Sequence, residues 1–278
     1  MVSTAVTRGS AVGRAARRGL HGGLGVGVKV AGAVALLLIW YVLSAVGVLD
    51  PSSVPGPVAT FQALGGEFGQ STFWDAVGET VLAWALGLGI GSSVGVLVGC
   101  MVALSRFTER STAGVVEFFK TVPVIAVLPL AILVLGTTLV MKVTLVSFAV
   151  AWPLLVQTSY GVKSMDPVIR DTARSLRMGR YRRFHTVVLP SAAPFIATGL
   201  RVAAASALTI TIVTELIAGG SGLGVQISNA AISGATALPT MYGLIIAAGL
   251  LGVTVALVFT AAEKRLLRWH EAYRPEQS

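Results

Sequence analysis

The side chains able to do chemistry in this chain are few, and most of them lie in one stretch. Residues 166–190 set Arg170, Arg174, Arg177 and Arg180 against the apolar Ile169, Ala173, Leu176 and Met178, between two long apolar runs. Guanidinium groups with short apolar side chains at helical spacing make a docking surface rather than a reaction centre. Asp166 followed by Pro167 is a strong helix start, with Asp as N-cap and Pro at the first helical position. Gly179 offers a break, residues 181–188 form a second helical stretch, and Pro190 opens the next apolar run. So basic a segment cannot lie in hydrocarbon, and the positive-inside rule puts it on the cytoplasmic face, within reach of a soluble partner. A basic loop that only fixes topology is the plainer alternative.

A second group sits inside an apolar run. Glu215 follows Thr209, Thr211 and Thr214, and Arg201 lies nearer the inner end of the same run. An ionisable group in a membrane span faces the protein interior or a water-filled path. Glu215 therefore lines a translocation route or holds a helix pair together. Arg201 snorkels to the inner interface or attracts an anion, and the threonines line a cavity or bond back to their own helix. Nothing points to catalysis. His21, His185 and His270 are far apart and show no metal-ligand spacing, and Cys100 is the single cysteine, a small packing residue in an apolar run. No G-x-x-x-x-G-K-[ST] stretch occurs, and the glycines of 219–224 lack a following Lys. The expectation is no catalytic residue, no metal and no cofactor in this chain.

The elements that must position these groups follow from hydropathy. Of 278 residues 54% are apolar and 12% charged, with a formal net charge of +9. The cations gather in particular loops, which reads as orientation in a membrane and not as nucleic-acid binding. Apolar runs at 30–49, 77–104, 121–136, 140–160, 190–218 and 241–262 predict an all-α membrane protein with six transmembrane helices and both termini cytoplasmic. Gly87, Gly91, Gly95 and Gly99 form one stripe for close helix packing. Pro123 and Pro129 break the third run, which then faces protein or a wet cavity.

Outside lie residues 50–75, with acids and no Lys or Arg, and the charge-free 219–239, of which 226–232 dips back toward the membrane. A short interfacial helix is expected over 61–73, and Lys142 snorkels from a short outer turn. Trp40, Tyr41, Trp74, Trp84 and Trp152 serve as interface belts and packing. The chain divides into a disordered basic cytoplasmic tail (1–28), a first span and outer loop (29–74), a core (75–267) and a C-terminal cytoplasmic tail (268–278).

Residues 166–190 resemble the cytoplasmic signature of ABC importer permease subunits, the inner-membrane components of binding-protein-dependent transport systems. That signature begins Glu-Ala-Ala, has a Gly after three more residues, and ends in Ile-x-Leu-Pro nine residues on. Asp171, Thr172 and Ala173 stand at its start and Val187, Leu189 and Pro190 at its end. Tyr160, Gly161 and Val162 before it, Gly199, Leu200 and Arg201 after it, the 220–224 loop, Pro123 and Pro129 match as well. The chain departs where the family glycine falls on Arg177, which would shape the turn differently.

The likeness covers roughly 75–267 and is closest to the nitrate, sulfonate and taurine branch. It implies the type I ABC importer permease fold, a plasma-membrane location, and a homodimer or paired permease in the lipid bilayer. Asp166, Pro167, Arg170, Asp171, Thr172, Ala173, Arg174, Leu176, Arg177, Met178 and Gly179 would form the coupling helix, seated on separate ABC ATPase subunits that bind ATP and Mg. An extracellular substrate-binding protein would deliver a small anion such as a sulfonate, taurine or nitrate. An importer for a vitamin or pyrimidine-type precursor, an ion-coupled secondary transporter and an intramembrane enzyme are the alternatives. The transporter would need a coupling-ion site, and the enzyme a nucleophile and base at matching depth.

Overall fold

The framework is a pair of long helices pressed backbone to backbone. In the computed structural model, which describes residues 10–267, these are α3 (Ser71–Leu104) and α6 (Leu139–Lys163). A methyl placed on Gly91, Gly95 or Gly99 would stand 2.6 Å from the carbonyl oxygen of Ser147, Ala151 or Leu155 respectively. No side chain fits there, so the expected glycine stripe has α6 as its partner. Ser147 and Ser159 donate from Oγ to the Gly87 and Gly99 carbonyls at 3.1 and 3.0 Å, one bond near each end of the seam.

α9 (Leu189–Ala218) packs on both, with Leu88, Val146, Val150, Leu154, Ala204 and Leu208 buried between them. Trp84 adds a mid-bundle bond from Nε1 to the Ala204 carbonyl at 2.9 Å. α11 (Leu238–Leu266) closes this side. At the C-terminal end of α3 Cys100, Val162, Met165, Val188 and Ala192 form a second buried cluster, and the cysteine packs there as expected. At the opposite end α2 (Pro57–Phe68) and α10 (Leu223–Ile232) cover a third cluster built on Leu64, Phe73, Leu223 and Leu244.

Among the described residues α3, α6, α11 and α9 with its lead-in are long and apolar enough to cross a membrane. α4 (Arg106–Thr121) and α5 (Val124–Leu135) are a pair bent by 85°, a fifth crossing only if the two are taken as one span and otherwise a re-entrant pair. The bend falls at Pro123, which lacks the N–H a continuous helix would need. The remaining expected span belongs to α1 (Ser10–Ala45), whose apolar part, Val30–Ala45, is shorter than a full crossing. α1 stops short of residue 49 because Gly47 turns the chain with φ 78°.

Two other expectations shift. α1 starts at Ser10, inside the stretch read as disordered tail, because Ala and Arg favour helix there over the intervening glycines. Residues 1–9 and the C-terminal tail 268–278 lie outside the described residues. The outer helix expected over 61–73 is α2, which begins earlier because Pro57 supplies a ready-made first turn.

Candidate functional site

The basic segment folds as two short helices leading into α9. α7 (Pro167–Ser175) is capped by Asp166, whose carboxylate accepts the Val168 N–H at 2.8 Å. Its end is a Schellman arrangement: Met178 N–H bonds to the Ala173 carbonyl at 3.2 Å and Arg177 N–H to the Arg174 carbonyl at 2.9 Å. Arg177 takes φ 50°, the left-handed conformation that glycine adopts at no steric cost. The break is therefore at Arg177 and not at Gly179, whose φ of −58° suits any residue. The turn keeps the shape a glycine would give it, although an arginine stands there.

α8 (Arg180–Arg183) runs through a wide turn at Phe184–Val188 into α9. Leu189 N–H reaches back five residues to the Phe184 carbonyl, a register that accommodates the N–H missing at Pro190.

Ala173 points into the body of the protein and is buried, while Val168 and Leu176 are 71% and 70% exposed and Tyr181, on α8, is exposed as well. Asp171 and Arg174 pair along the helix at 3.2 Å, and Arg170 and Met178 are half-buried. Two short links, residues 164–166 and 176–179, tie α7 to α6 and to α8, and α8 runs on into α9. The result is a rod with apolar and cationic side chains on its free face.

The five candidate path residues are not brought together. Thr209 is exposed and bonds back to the Ala205 carbonyl at 3.2 Å. Thr211, Thr214 and Glu215 lie inside the bundle, Thr211 bonding back to the Ala207 carbonyl at 2.9 Å. Arg201 Nη1 meets Glu263 at 3.2 Å, and Thr198 Oγ1 donates to the same carboxylate at 2.9 Å, joining α9 to α11. A cavity of about 210 Å³ opens instead between α6 and α9, lined by Pro153, Gln157, Thr198, Gly199, Val202 and Ser206. Its polar side chains are all neutral. Gln157 and Ser206 carried no signal in the sequence beyond being polar within apolar runs.

Glu215, on α9, is held by groups from three other elements. Lys142 Nζ pairs with Oε1 at 3.0 Å, and both residues are at most 2% exposed. Thr80 Oγ1 donates to Oε2 at 2.8 Å while accepting the Leu223 N–H at 2.9 Å, and the Gly224 N–H donates to Oε2 at 3.1 Å. Lys142 also donates to the Ser221 carbonyl. Gly222, at φ 114°, leaves the carboxylate the space a Cβ would fill. Lys142 is thus no snorkelling residue of an outer turn. A buried ammonium needs a partner, and Glu215 provides it from 73 residues away. Of its two open roles, Glu215 takes the structural one: it joins α3, α6, α9 and the first turn of α10.

Among the described residues no group of His, Cys, Asp and Glu is arranged to hold a metal ion.

Residues 91–268, more than half of the chain, match the family described as binding-protein-dependent transport system inner membrane component. The chain is 30% identical to a putative aliphatic sulfonates transport permease protein of Bacillus subtilis, with 86% of each chain covered. It is 28% identical to the taurine transport system permease protein of Escherichia coli, over 84% of this chain and 86% of that one. Among solved structures it superposes with TM-score 0.65 and 13% identity on a chain of a bacterial ABC transporter involved in import of the acidic polysaccharide alginate, covering 86% of this chain and 95% of that one.

Proposed function

This chain belongs to the family of binding-protein-dependent transport system inner membrane components and is a permease subunit of an ABC importer; on that premise we propose that it moves a small anion, a sulfonate or taurine-like solute, through the space beside Gln157. Two relatives named for aliphatic sulfonates and taurine support the substrate class. The observation that carries it is electrostatic. A bare carboxylate in the path would repel an anion, yet Glu215 is neutralised by Lys142 away from the cavity, and Glu263 meets Arg201. The cavity offers Gln157 and Ser206, whose amide and hydroxyl can donate hydrogen bonds to an anion without trapping it.

The rod formed by α7 would dock on a separate ATPase subunit bearing ATP and Mg, with Val168, Leu176 and Tyr181 filling a groove and the arginines ringing it. Closure of two ATPases would rock paired permeases about that contact, and an extracellular binding protein would load the outer face.

Uptake into proteoliposomes holding this chain, its ATPase and its binding protein tests the reading. ATP-dependent accumulation of radiolabelled taurine or an alkanesulfonate is expected, and a neutral vitamin precursor should not compete. Accumulation of the vitamin precursor with no effect of sulfonates would refute the substrate class. Leu176→Asp should abolish co-purification with the ATPase and leave the thermal midpoint of the isolated chain unchanged. Retained co-purification would refute the docking role.

A further inference from the structure

We propose that the start of α4 is a binding site for the headgroup of an anionic phospholipid, with Arg106 and Arg110 as the anion ligands. The helix has three faces. Thr108, Glu109, Thr112, Val116 and Phe119 turn toward the protein, and Phe119 stacks on Trp152 with ring centroids 4.8 Å apart. Phe107, Val115 and Phe118 form an exposed apolar strip, Phe107 being 81% exposed. Arg106 and Arg110 stand together on the strip between these, one turn apart, where side chains of one helix face are neighbours. Because α4 lies at 85° to α5, it runs along the membrane surface if α5 enters the bilayer, with the apolar strip in the acyl region and the arginines at headgroup level.

Within α4, charge accounting leaves these two cations. Glu109 is taken by Lys163 at 2.6 Å and Glu117 by Lys120 at 2.9 Å. Arg106 and Arg110 have no ion-pair partner among the described residues. They line, with Phe107 and Ser111, an open concavity of about 470 Å³.

A guanidinium fork binds a phosphate through two parallel N–H bonds, and Ser111 adds a hydroxyl donor beside it. α3 is apolar through its last residue, Leu104, and Met101 and Leu104 are exposed. Hydrocarbon therefore reaches the first turn of α4, and a phosphate there carries its acyl chains down beside Phe107. The site stands on the geometry of α4 alone and holds whichever solute the chain transports.

Native mass spectrometry of the full chain, freed from mixed phosphatidylglycerol and phosphatidylcholine nanodiscs, tests it. The wild type should retain phosphatidylglycerol in preference to phosphatidylcholine, with retention falling as ionic strength rises. Arg106→Gln/Arg110→Gln should cut phosphatidylglycerol retention roughly tenfold or more without changing the thermal midpoint. Lys120→Gln, at a cation already paired, should leave it unchanged. Arg106→Lys/Arg110→Lys, which keeps the charge and the fold but loses the fork, should fall between, and inorganic phosphate should not displace the lipid. Equal retention by the double Gln variant, or no preference between the two lipids, would overturn the proposal. So would loss of ATPase binding with lipid retention intact, because the arginines would then be a protein contact.

Discussion

Glu215→Gln removes one charge from the centre of the knot that joins α3, α6, α9 and α10, and the structure sets the size of the effect. With Nζ and Oε1 3.0 Å apart, the Coulomb attraction is about 5.5 kcal/mol at an effective dielectric of 20. Most of that offsets the desolvation of two buried ions, so the pair adds little over a well-packed apolar replacement. Breaking it from one side is different. The substituted amide could still accept from Thr80 and Gly224 with its oxygen, but its NH₂ would then face the Lys142 ammonium, donor to donor. The stranded cation would keep only the Ser221 carbonyl. The expected loss is about 3–5 kcal/mol, and at ~2–4 °C per kcal/mol the thermal midpoint should fall by roughly 6–20 °C.

Lys142→Met should cost less, since Thr80 and Gly224 still serve the carboxylate and a proton can neutralise it. The double variant Lys142→Met/Glu215→Gln should recover most of the midpoint. Tryptophan fluorescence of detergent-purified protein on a heating ramp reads all four corners of the cycle. Additive losses in the double variant would show that the charges are not coupled and would refute the reasoning.

Two further outcomes follow from the packing. Gly91→Ala puts a methyl 2.6 Å from the Ser147 carbonyl and should destabilise by about 1–3 kcal/mol; Gly89→Ala, with no neighbour within 4 Å, should be neutral or slightly stabilising in the same melting assay. Arg177→Gly relieves a left-handed non-glycine residue and should stabilise the end of α7 by about 1 kcal/mol, read as slower amide exchange at Arg177 and Met178; faster exchange would count against it.

What the sequence disclosed was the local part of this structure. Asp166-Pro167 starts α7 because an N-cap and a fixed φ act within one turn, and the four glycines announce a close helix contact because spacing alone places them on one face. Contacts between distant residues were hidden. Lys142 looked like a loop charge because nothing near it in sequence shows that Glu215 is its partner. Gly222 and Gly224 were legible only as part of a family-like loop, yet one makes room for the Glu215 carboxylate and the other bonds to it. The stop at Arg177 was masked because the αL position usually advertises itself as glycine, and the nearest glycine was two residues away. Helix geometry alone separates Thr209 from Thr211, which point about 160° apart at 100° per residue, one exposed and the other inside the bundle.

The ion pair and α7 close one frame. Lys142 stands in the first turn of α6 and Glu215 in the last turn of α9, while α7 joins the opposite ends of the same two helices. A force on α7 at one end meets a pinned corner at the other, so α6 and α9 cannot scissor apart. The loop bound to the pin carries α10 with them, through Gly224 N–H and the Ser221 carbonyl. The expectation is that α7 and α10 of one copy move as a single body. Spin labels at Thr172→Cys and Ile232→Cys, both exposed positions, should hold one distance through the ATP cycle when a labelled copy is diluted among unlabelled ones. Cys100 is buried and would stay unlabelled. Distances between labels on two copies should change in the same experiment. A shift of several ångströms within one copy, under nucleotide conditions that move the copies relative to each other, would mean that the frame opens at its pinned corner and that α10 is a separately moving part.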